Sequence, residues 1–255
     1  MSMLGEFYER YWSEGIDNWS PLNLRVSEEQ RDLLAAYVRP GDRVLDIGCG
    51  DGRVARALKA TGISYTGVDI SHEGLRRCAA EGFAVIQHDI QQPLPLDDGQ
   101  FDAVTVFEVL EHLFRPDEGL RQIRRVLRPG GVVLGSVPNT ACLANRLLML
   151  AGVFNPGGSP ATSLKAPWRD PHIRFLTHSS LARLIADTGY ADSRIIGERF
   201  SLTDLPVLYR LDGRTRRLLQ AASRPLGFAG RGWPGLFASH MFFAAQKRTV
   251  APAAV

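Results

Sequence analysis

Short apolar runs alternate with amphipathic segments from residue 41 onward. Runs at 43–48, 64–69, 84–89, 101–107 and 132–137 predict five strands, and two later runs, 193–200 and 236–246, predict two more. Segments 53–60, 72–81 and 179–188 have helical spacing, as does the stretch that contains Leu120, Ile123, Val126 and Leu127. This alternation predicts an α/β fold: a doubly wound, seven-stranded, mostly parallel sheet with helices on both faces.

Three regions follow from the same pattern. Residues 1–39 precede the sheet and predict a helical cap rich in aromatic side chains (Tyr8, Tyr11, Trp12 and Trp19). Residues 40–139 are the predicted ligand-binding core, and residues 140–255 complete the same domain with two insertions, 140–178 and 201–233, that we expect to cover a substrate. Residues 152–171 hold four prolines and three glycines, so we expect a long loop that orders over the site when ligand binds.

Composition narrows the class of protein. The chain of 255 residues is 45% hydrophobic and 22% charged, with a formal net charge of +3, so its overall charge gives no argument for a nucleic-acid partner. Its three cysteines lack CxxC spacing, which disfavours a disulfide framework or a zinc site and favours the cytoplasm. No stretch approaches the ~18 apolar residues of a membrane span. We expect a soluble cytoplasmic monomer or homodimer that acts on a small molecule.

The glycine-rich stretch VLDIGCGDG at 44–52 follows the first strand. Glycines there let the backbone approach a ligand at the carboxyl edge of the sheet. A pyrophosphate would face Asp46 and Asp51 in this loop, an unfavourable like-charge arrangement, whereas a ligand with a sulfonium and an ammonium would be favoured. Asp69, about 20 residues further on, suits the hydroxyls of a ribose. Asp89 follows at the end of the third predicted strand.

Five motifs in order resemble the class I, Rossmann-like S-adenosylmethionine-dependent methyltransferases: VLDIGCGDG, GVDIS (67–71), HDI (88–90), FDAVTVFEVLEH (101–112) and LRPGGVVLGSVPN (127–139). The segment HIRFLTHSSLARLIADTGY (172–190) resembles their small-molecule branch, which includes ubiquinone-biosynthesis, natural-product and sugar methyltransferases. The resemblance implies transfer of a methyl group from S-adenosyl-L-methionine to an oxygen or nitrogen of a small molecule. It implies a cofactor site formed by Asp46, Gly48, Cys49, Gly50, Asp69, Ile70, Asp89, Ile90 and Glu108.

The sequence Glu108-Val-Leu-Glu111-His112 follows the fourth predicted strand. On a helix its three ionisable side chains would share one face, and the loop could bring His172 nearby. Three interpretations stay open. In one, Glu108, Glu111, His112 and His172 form a divalent-metal site. In another, the site is metal-free and His112 is the general base, with His172 as the second choice. In a third, these residues only shape the pocket. The other histidines (His72, His88, His178 and His240) lack such neighbours, and we expect them to be structural.

Three other functions are compatible with parts of the sequence. A nucleic-acid methyltransferase would have a basic groove beside the site, but the sequence shows no lysine-rich domain and no NPPY-like tetrapeptide after the fourth strand. A nicotinamide oxidoreductase is disfavoured by the acidic glycine loop. A non-catalytic S-adenosylmethionine-binding module would need only the glycine loop. The ionisable side chains of the Glu108–His112 segment would have no role in such a module, so their presence disfavours it.

Overall fold

A computed structural model describes residues 3–14, 26–152, 171–199, 213–223 and 227–249. The strands are β1 (Arg43–Ile47), β2 (Ser64–Asp69), β3 (Ala84–Gln87), β4 (Phe101–Phe107), β5 (Leu127–Pro138), β6 (Tyr190–Gly197) and β7 (His240–Lys247). The helices are α1 (Met3–Glu14), α2 (Glu28–Tyr37), α3 (Arg53–Leu58), α4 (His72–Ala80), α5 (Pro116–Val126), α6 (Leu143–Leu150), α7 (His178–Asp187), α8 (Gly213–Ser223), α9 (Phe228–Gly232) and α10 (Pro234–Phe237). Two short 3₁₀ turns cover Lys59–Thr61 and Leu110–His112.

The seven strands form one sheet in the order β3-β2-β1-β4-β5-β7-β6. Strand β7 runs antiparallel to both β5 and β6, and the remaining pairs are parallel. The predicted seven-stranded, mostly parallel architecture is therefore confirmed. The last two strands differ in their bounds. Strand β6 starts at Tyr190, and β7 starts only at His240 because Pro234 begins a short helix instead of a strand.

Helices bury both faces of this sheet. On one face, α5 and α7 cover the central strands through Leu120, Ile123, Leu181 and Ile185, which are fully buried. On the other face, α2 and α3 contribute a second cluster that includes Leu33, Leu34, Val54 and Leu58. A doubly covered sheet explains why the central strands read as nearly continuous apolar runs.

The order of the strands brings four loops to one edge of the sheet. The order in which successive strands are added to the sheet reverses between β1 and β4, and the crevice at the carboxyl ends of such neighbours is where α/β proteins bind ligands. Because β7 is antiparallel, its first residue, His240, pairs with Pro138 at the end of β5 and lies at this same edge. Glu198, which follows β6, lies there as well because its backbone N–H donates to the carbonyl of His240.

Helix α1 packs on α4 beside the glycine loop. Glu9 accepts hydrogen bonds from the Ser71 hydroxyl and the Glu73 backbone N–H, so it caps the start of α4. The carbonyl of Trp12 accepts from Arg77, and the buried indole of Trp12 lies against Gly50. The predicted N-terminal cap is thus helical in the residues described. Trp19 and nearly all of the predicted closing loop, 153–170, lie outside the described residues.

The start of α2 carries a reciprocal capping box. The Ser27 hydroxyl accepts from the backbone N–H of Gln30, and the Gln30 side chain accepts from the backbone N–H of Ser27. We expect Ser27→Ala to lower the free energy of unfolding by about 1 kcal/mol, because one N–H of the first turn loses its acceptor. Urea denaturation measures this, with Ser13→Ala on the exposed surface of α1 as the control. Equal stability of the two variants would contradict the prediction.

Across the described ranges, no helix combines the length and apolarity that a membrane crossing requires. Cys49, Cys78 and Cys142 are all buried free thiols.

Candidate active site

The glycine loop after β1 is held against β2 by its backbone. The N–H groups of Gly48 and Cys49 donate to the carbonyl of Val68 at 2.8 and 3.1 Å. Gly48 has a φ of 73°, and a Cβ there would collide with the side chain of Val109. A Cβ at Gly50, whose φ is 51°, would collide with Trp12. These two positions therefore require glycine, as expected for a loop whose backbone approaches a ligand.

Asp69 ends β2 at the rim of this loop. One carboxylate oxygen accepts from the Gly50 backbone N–H at 2.8 Å, and the other accepts from the Ser71 backbone N–H at 2.9 Å. Burial raises the pKa of Asp69, and these hydrogen bonds oppose the shift. Each oxygen keeps a lone pair for another donor. Asp69 therefore fixes the loop and can still accept hydrogen bonds from ribose hydroxyls, the role predicted from the sequence.

Asp46 has a different environment from the one expected of a ligand-binding carboxylate. Its side chain is 3% exposed, and its two oxygens accept from the hydroxyls of Thr105 at 2.6 Å and Tyr65 at 2.7 Å. Burial raises the pKa of Asp46 to about 6, although these hydroxyls act against the shift. In this structure Asp46 joins β1, β2 and β4 beneath the loop. Its contact with a cofactor stays a prediction.

The pKa of Asp46 predicts a pH-dependent stability. Because the folded state binds this proton more tightly than the unfolded chain, whose pKa is about 3.8, the group's favourable contribution is lost as pH rises to about 6. Between about pH 4 and pH 7.5 the wild type should lose about 2 kcal/mol of stability relative to Asp46→Asn, which stays neutral. Urea denaturation of both proteins at the two pH values measures the difference. A constant difference would show that Asp46 titrates normally.

The other predicted cofactor residues lie around the same rim. Asp89 follows β3, and its carboxylate accepts from the Gln91 backbone N–H at 3.0 Å. Ile70 is half-buried and Ile90 is buried. The Cys49 thiol points towards Gly67 of β2, so only the backbone of Cys49 faces the loop's open side. The structure therefore brings these residues to one edge, while their contacts with a cofactor stay predictions.

The segment after β4 is not the single helix that the sequence predicted. Glu108 has a φ of 55°, and only Leu110–His112 form a helical turn, of the 3₁₀ type. The backbone N–H of Glu108 donates to the carbonyl of Ser136, which extends the pairing of β4 with β5 by one residue. The prediction that Glu108, Glu111 and His112 share a helical face is therefore wrong.

Glu111, His112 and His172 nevertheless meet, and we call them the EHH group. Oε1 of Glu111 lies 3.8 Å from Nε2 of His112 and 3.8 Å from Nε2 of His172. The two imidazoles stack with centroids 4.6 Å apart. Side-chain exposure is 1% for Glu111, 10% for His112 and 6% for His172. The predicted proximity of His172 is confirmed.

Backbone hydrogen bonds assemble the EHH group across 60 residues of sequence. The N–H groups of Ile173 and Arg174 both donate to the carbonyl of Glu111 at 3.0 Å. Nδ1 of His112 lies 3.2 Å from the carbonyl oxygen of Pro171. Because a carbonyl can only accept, Nδ1 carries the proton, and a neutral His112 presents a lone pair on Nε2. The ring of Tyr8 in α1 packs edge-on against His112 at 5.7 Å.

Glu108 belongs to a second group, the β7 cluster, which comprises Glu108, Ser136, Glu198, Ser239 and His240. The Ser136 hydroxyl donates to Glu108 at 2.6 Å, and Ser239 donates to Glu198. His240 lies between the two carboxylates, with Nδ1 3.0 Å from Glu198 and Nε2 3.6 Å from Glu108. Sequence reasoning assigned His240 a structural role because its partners lie 42 and 132 positions away. No local pattern contains them.

The two groups are electrostatically linked. Burial, followed by the negative charge of Glu108, raises the pKa of Glu111 well above its usual range. Burial opposes protonation of His240, but the carboxylates of Glu108 and Glu198 outweigh it and raise the pKa of His240 to about 10. The two carboxylates therefore favour the imidazolium form of His240.

The EHH group has the donor set of a divalent-metal site. Its three ligand atoms all lie within 4.8 Å of one another, and among the described residues neither buried oxygen of Glu111 has a hydrogen-bond partner. Two imidazole nitrogens and one carboxylate suit a transition-metal ion. Glu108, the fourth predicted ligand, instead directs its carboxylate to Ser136 and His240. The residues present therefore fit an ion held by three protein ligands.

Most of the chain is similar in sequence to known methyltransferases. A family described as a methyltransferase domain matches residues 11–194. The ubiquinone biosynthesis O-methyltransferase of Aromatoleum aromaticum is 29% identical over 237 residues, which cover 84% of this chain and 91% of that protein. The 27-O-demethylrifamycin SV methyltransferase of Amycolatopsis mediterranei is 34% identical over 147 residues, or 52% of this chain and 53% of that protein.

Solved structures share the fold. The phosphoethanolamine N-methyltransferase 2 of Haemonchus contortus, in complex with S-adenosyl-L-methionine, superposes with a TM-score of 0.59 at 19% identity. The match covers 95% of this chain and 57% of that chain. This similarity supports the architecture of the sheet and its connections.

Proposed function

The chain belongs to the class I S-adenosylmethionine-dependent methyltransferases, and on that premise we propose that it methylates a hydroxyl group of a small molecule. The choice of a hydroxyl rests on His112, which lies at the edge where the donor site is predicted. Because Nδ1 of His112 contacts the carbonyl of Pro171, the lone pair of the imidazole is on Nε2. A neutral hydroxyl becomes a strong nucleophile only when it loses its proton. The names of the two relatives, both O-methyltransferases, support the same choice.

In the proposed reaction the acceptor oxygen attacks the methyl carbon of S-adenosylmethionine. A new C–O bond forms, the C–S bond breaks, and its electron pair goes to sulfur, which leaves as the neutral thioether of S-adenosylhomocysteine. The hydroxyl proton passes to Nε2 of His112. The sulfonium is already a good leaving group, so the protein contributes mainly alignment and exclusion of water. Asp69 and the glycine loop would align the donor, and Tyr8 and Trp12 of α1 would shield it.

A divalent ion at the EHH group is a second version of the same function, favoured by the convergence of its three ligand atoms. Glu111, His112 and His172 would hold it. A bound ion would lower the pKa of a coordinated hydroxyl and make a separate base unnecessary. If an ion is bound, substitution of His172 or Glu111 would lower activity as much as substitution of His112.

The acceptor is proposed to be a secondary metabolite, a quinone precursor or a sugar rather than RNA. We further propose that the protein acts in the cytoplasm, a compartment in which buried free thiols such as these stay reduced. We also propose that it is a monomer or a homodimer. Helices α8 and α9 lie within the predicted insertion 201–233 and would form part of the cover over the acceptor.

Product profiling tests the function. The purified protein is incubated with S-adenosylmethionine carrying a deuterated methyl group and with small-molecule or RNA fractions from the source organism. We expect labelled methyl on oxygen in the small-molecule fraction only. Label found in RNA would favour the nucleic-acid alternative, and cofactor binding without any labelled product would favour the non-catalytic module.

A further inference from the structure

His240 lies between two carboxylates that favour its imidazolium form, and the proposed reaction assigns it no role. Its Nδ1 hydrogen bonds to Glu198, but the 3.6 Å between Nε2 and Glu108 exceeds hydrogen-bond distance. The contact with Glu108 is therefore between charges. The imidazole is half-buried, with 41% of its side-chain surface exposed at this edge of the sheet.

The β7 cluster adjoins the predicted donor site. Glu108 precedes Val109, whose side chain fills the space beside Gly48 of the glycine loop. Glu108 is also fixed at three points: its backbone N–H pairs with Ser136, one carboxylate oxygen accepts from the Ser136 hydroxyl, and the other faces His240. Its negative charge is therefore held in one place near the expected sulfonium.

The carboxylates at this edge of the sheet act unfavourably on the rate of methyl transfer. The donor carries a positive sulfonium, and that charge disappears as the thioether forms. Carboxylates that bind the sulfonium strongly therefore stabilise the reactants more than the transition state, and such binding does not raise the rate. A fixed cation beside the nearest carboxylate would reduce this effect.

We propose that His240 is a positioning residue for methyl transfer: its imidazolium fixes the Glu108 carboxylate and offsets its charge, so that the site does not overstabilise the sulfonium of the donor. The inference rests on the proposed function, because it takes S-adenosylmethionine as the methyl donor. It adds a role for a residue on β7, outside the glycine loop and the EHH group.

Calorimetric titration with S-adenosylmethionine and, separately, S-adenosylhomocysteine tests this role, because the two ligands differ by the methyl group and the positive charge. We expect His240→Gln to shift the ratio of their dissociation constants about tenfold in favour of S-adenosylmethionine, as expected for one charge removed at roughly 10 Å with an effective dielectric constant of ~20. His240→Lys, which keeps the cation, should stay close to the wild-type ratio.

The matched control is His72→Gln, on the exposed start of α4, which should leave the ratio unchanged. If His240 had a purely structural role, His240→Gln would weaken the binding of both ligands by the same factor. An unchanged ratio of the two dissociation constants in this variant therefore overturns the inference. So does an equal shift in the Gln and Lys variants. If the wild type binds neither ligand, the proposed function fails and the inference with it. An unchanged ratio in a protein that binds both ligands overturns the inference alone.

Discussion

Replacing His112 with Asn should lower turnover about 10²–10⁴-fold, the usual loss on removal of a general base. Asparagine can still donate to the Pro171 carbonyl, so the local backbone should keep its position, but no group remains to accept the proton of the acceptor hydroxyl. The affinity for S-adenosylhomocysteine should stay within about threefold of wild type, because His112 lies outside the glycine loop. Steady-state turnover at saturating substrates, with calorimetry for the cofactor, measures both effects.

His72→Ala is the matched control, since it removes an imidazole from the exposed surface and should retain full turnover. A His112→Asn enzyme with wild-type turnover would refute both the base and the metal versions and leave alignment as the source of the rate.

A chelator separates the two versions. If no metal is bound, a chelator has no effect and Glu111→Gln is milder than His112→Asn. If an ion is held by the EHH group, activity disappears with chelator, returns with a divalent ion, and falls similarly for Glu111→Gln, His112→Asn and His172→Asn. Elemental analysis of the purified protein gives a readout that is independent of activity.

Replacing Asp69 with Ala should weaken binding of S-adenosylhomocysteine by about 1.5–3 kcal/mol, or roughly 10- to 150-fold. Two acceptors for ribose hydroxyls are lost, and the Gly50 and Ser71 N–H groups lose the carboxylate that now holds the loop. Asp97→Ala, a surface change after β3, serves as the control. Tight binding of NAD without binding of either sulfur nucleoside would contradict the whole assignment.

A ligand lacking the ribose 2′-hydroxyl separates the two roles of Asp69. If Asp69 binds that hydroxyl, the wild type should lose affinity for 2′-deoxy-S-adenosylhomocysteine, and Asp69→Ala should lose little more. Equal losses on both ligands would show that Asp69 acts only by holding the loop.

The architecture and the position of the predicted donor site could both be predicted from the amino-acid sequence. Alternating apolar runs and helical segments specify a parallel sheet because strand and helix periodicities are local properties of the chain. The glycines at 48 and 50 and the acids at strand ends could be located because each follows an apolar run directly. The carboxyl ends of parallel strands necessarily share one edge. The family could also be predicted from the sequence, because each of the five motifs is a short contiguous stretch.

The directions in which the side chains at this edge point depend on long-range packing and could not be predicted. The helical pattern of Glu108, Glu111 and His112 was locally reasonable, but Glu108 continues the pairing of β4 with β5 and has a left-handed backbone. Its carboxylate contacts Ser136 and His240 instead of the other two side chains. Asp46 turns to hydroxyls on two neighbouring strands, and His240 meets Glu108 only through the antiparallel pairing of β5 and β7. These contacts join residues 19 to 132 positions apart. Strand register decides them, and a local sequence pattern does not encode it.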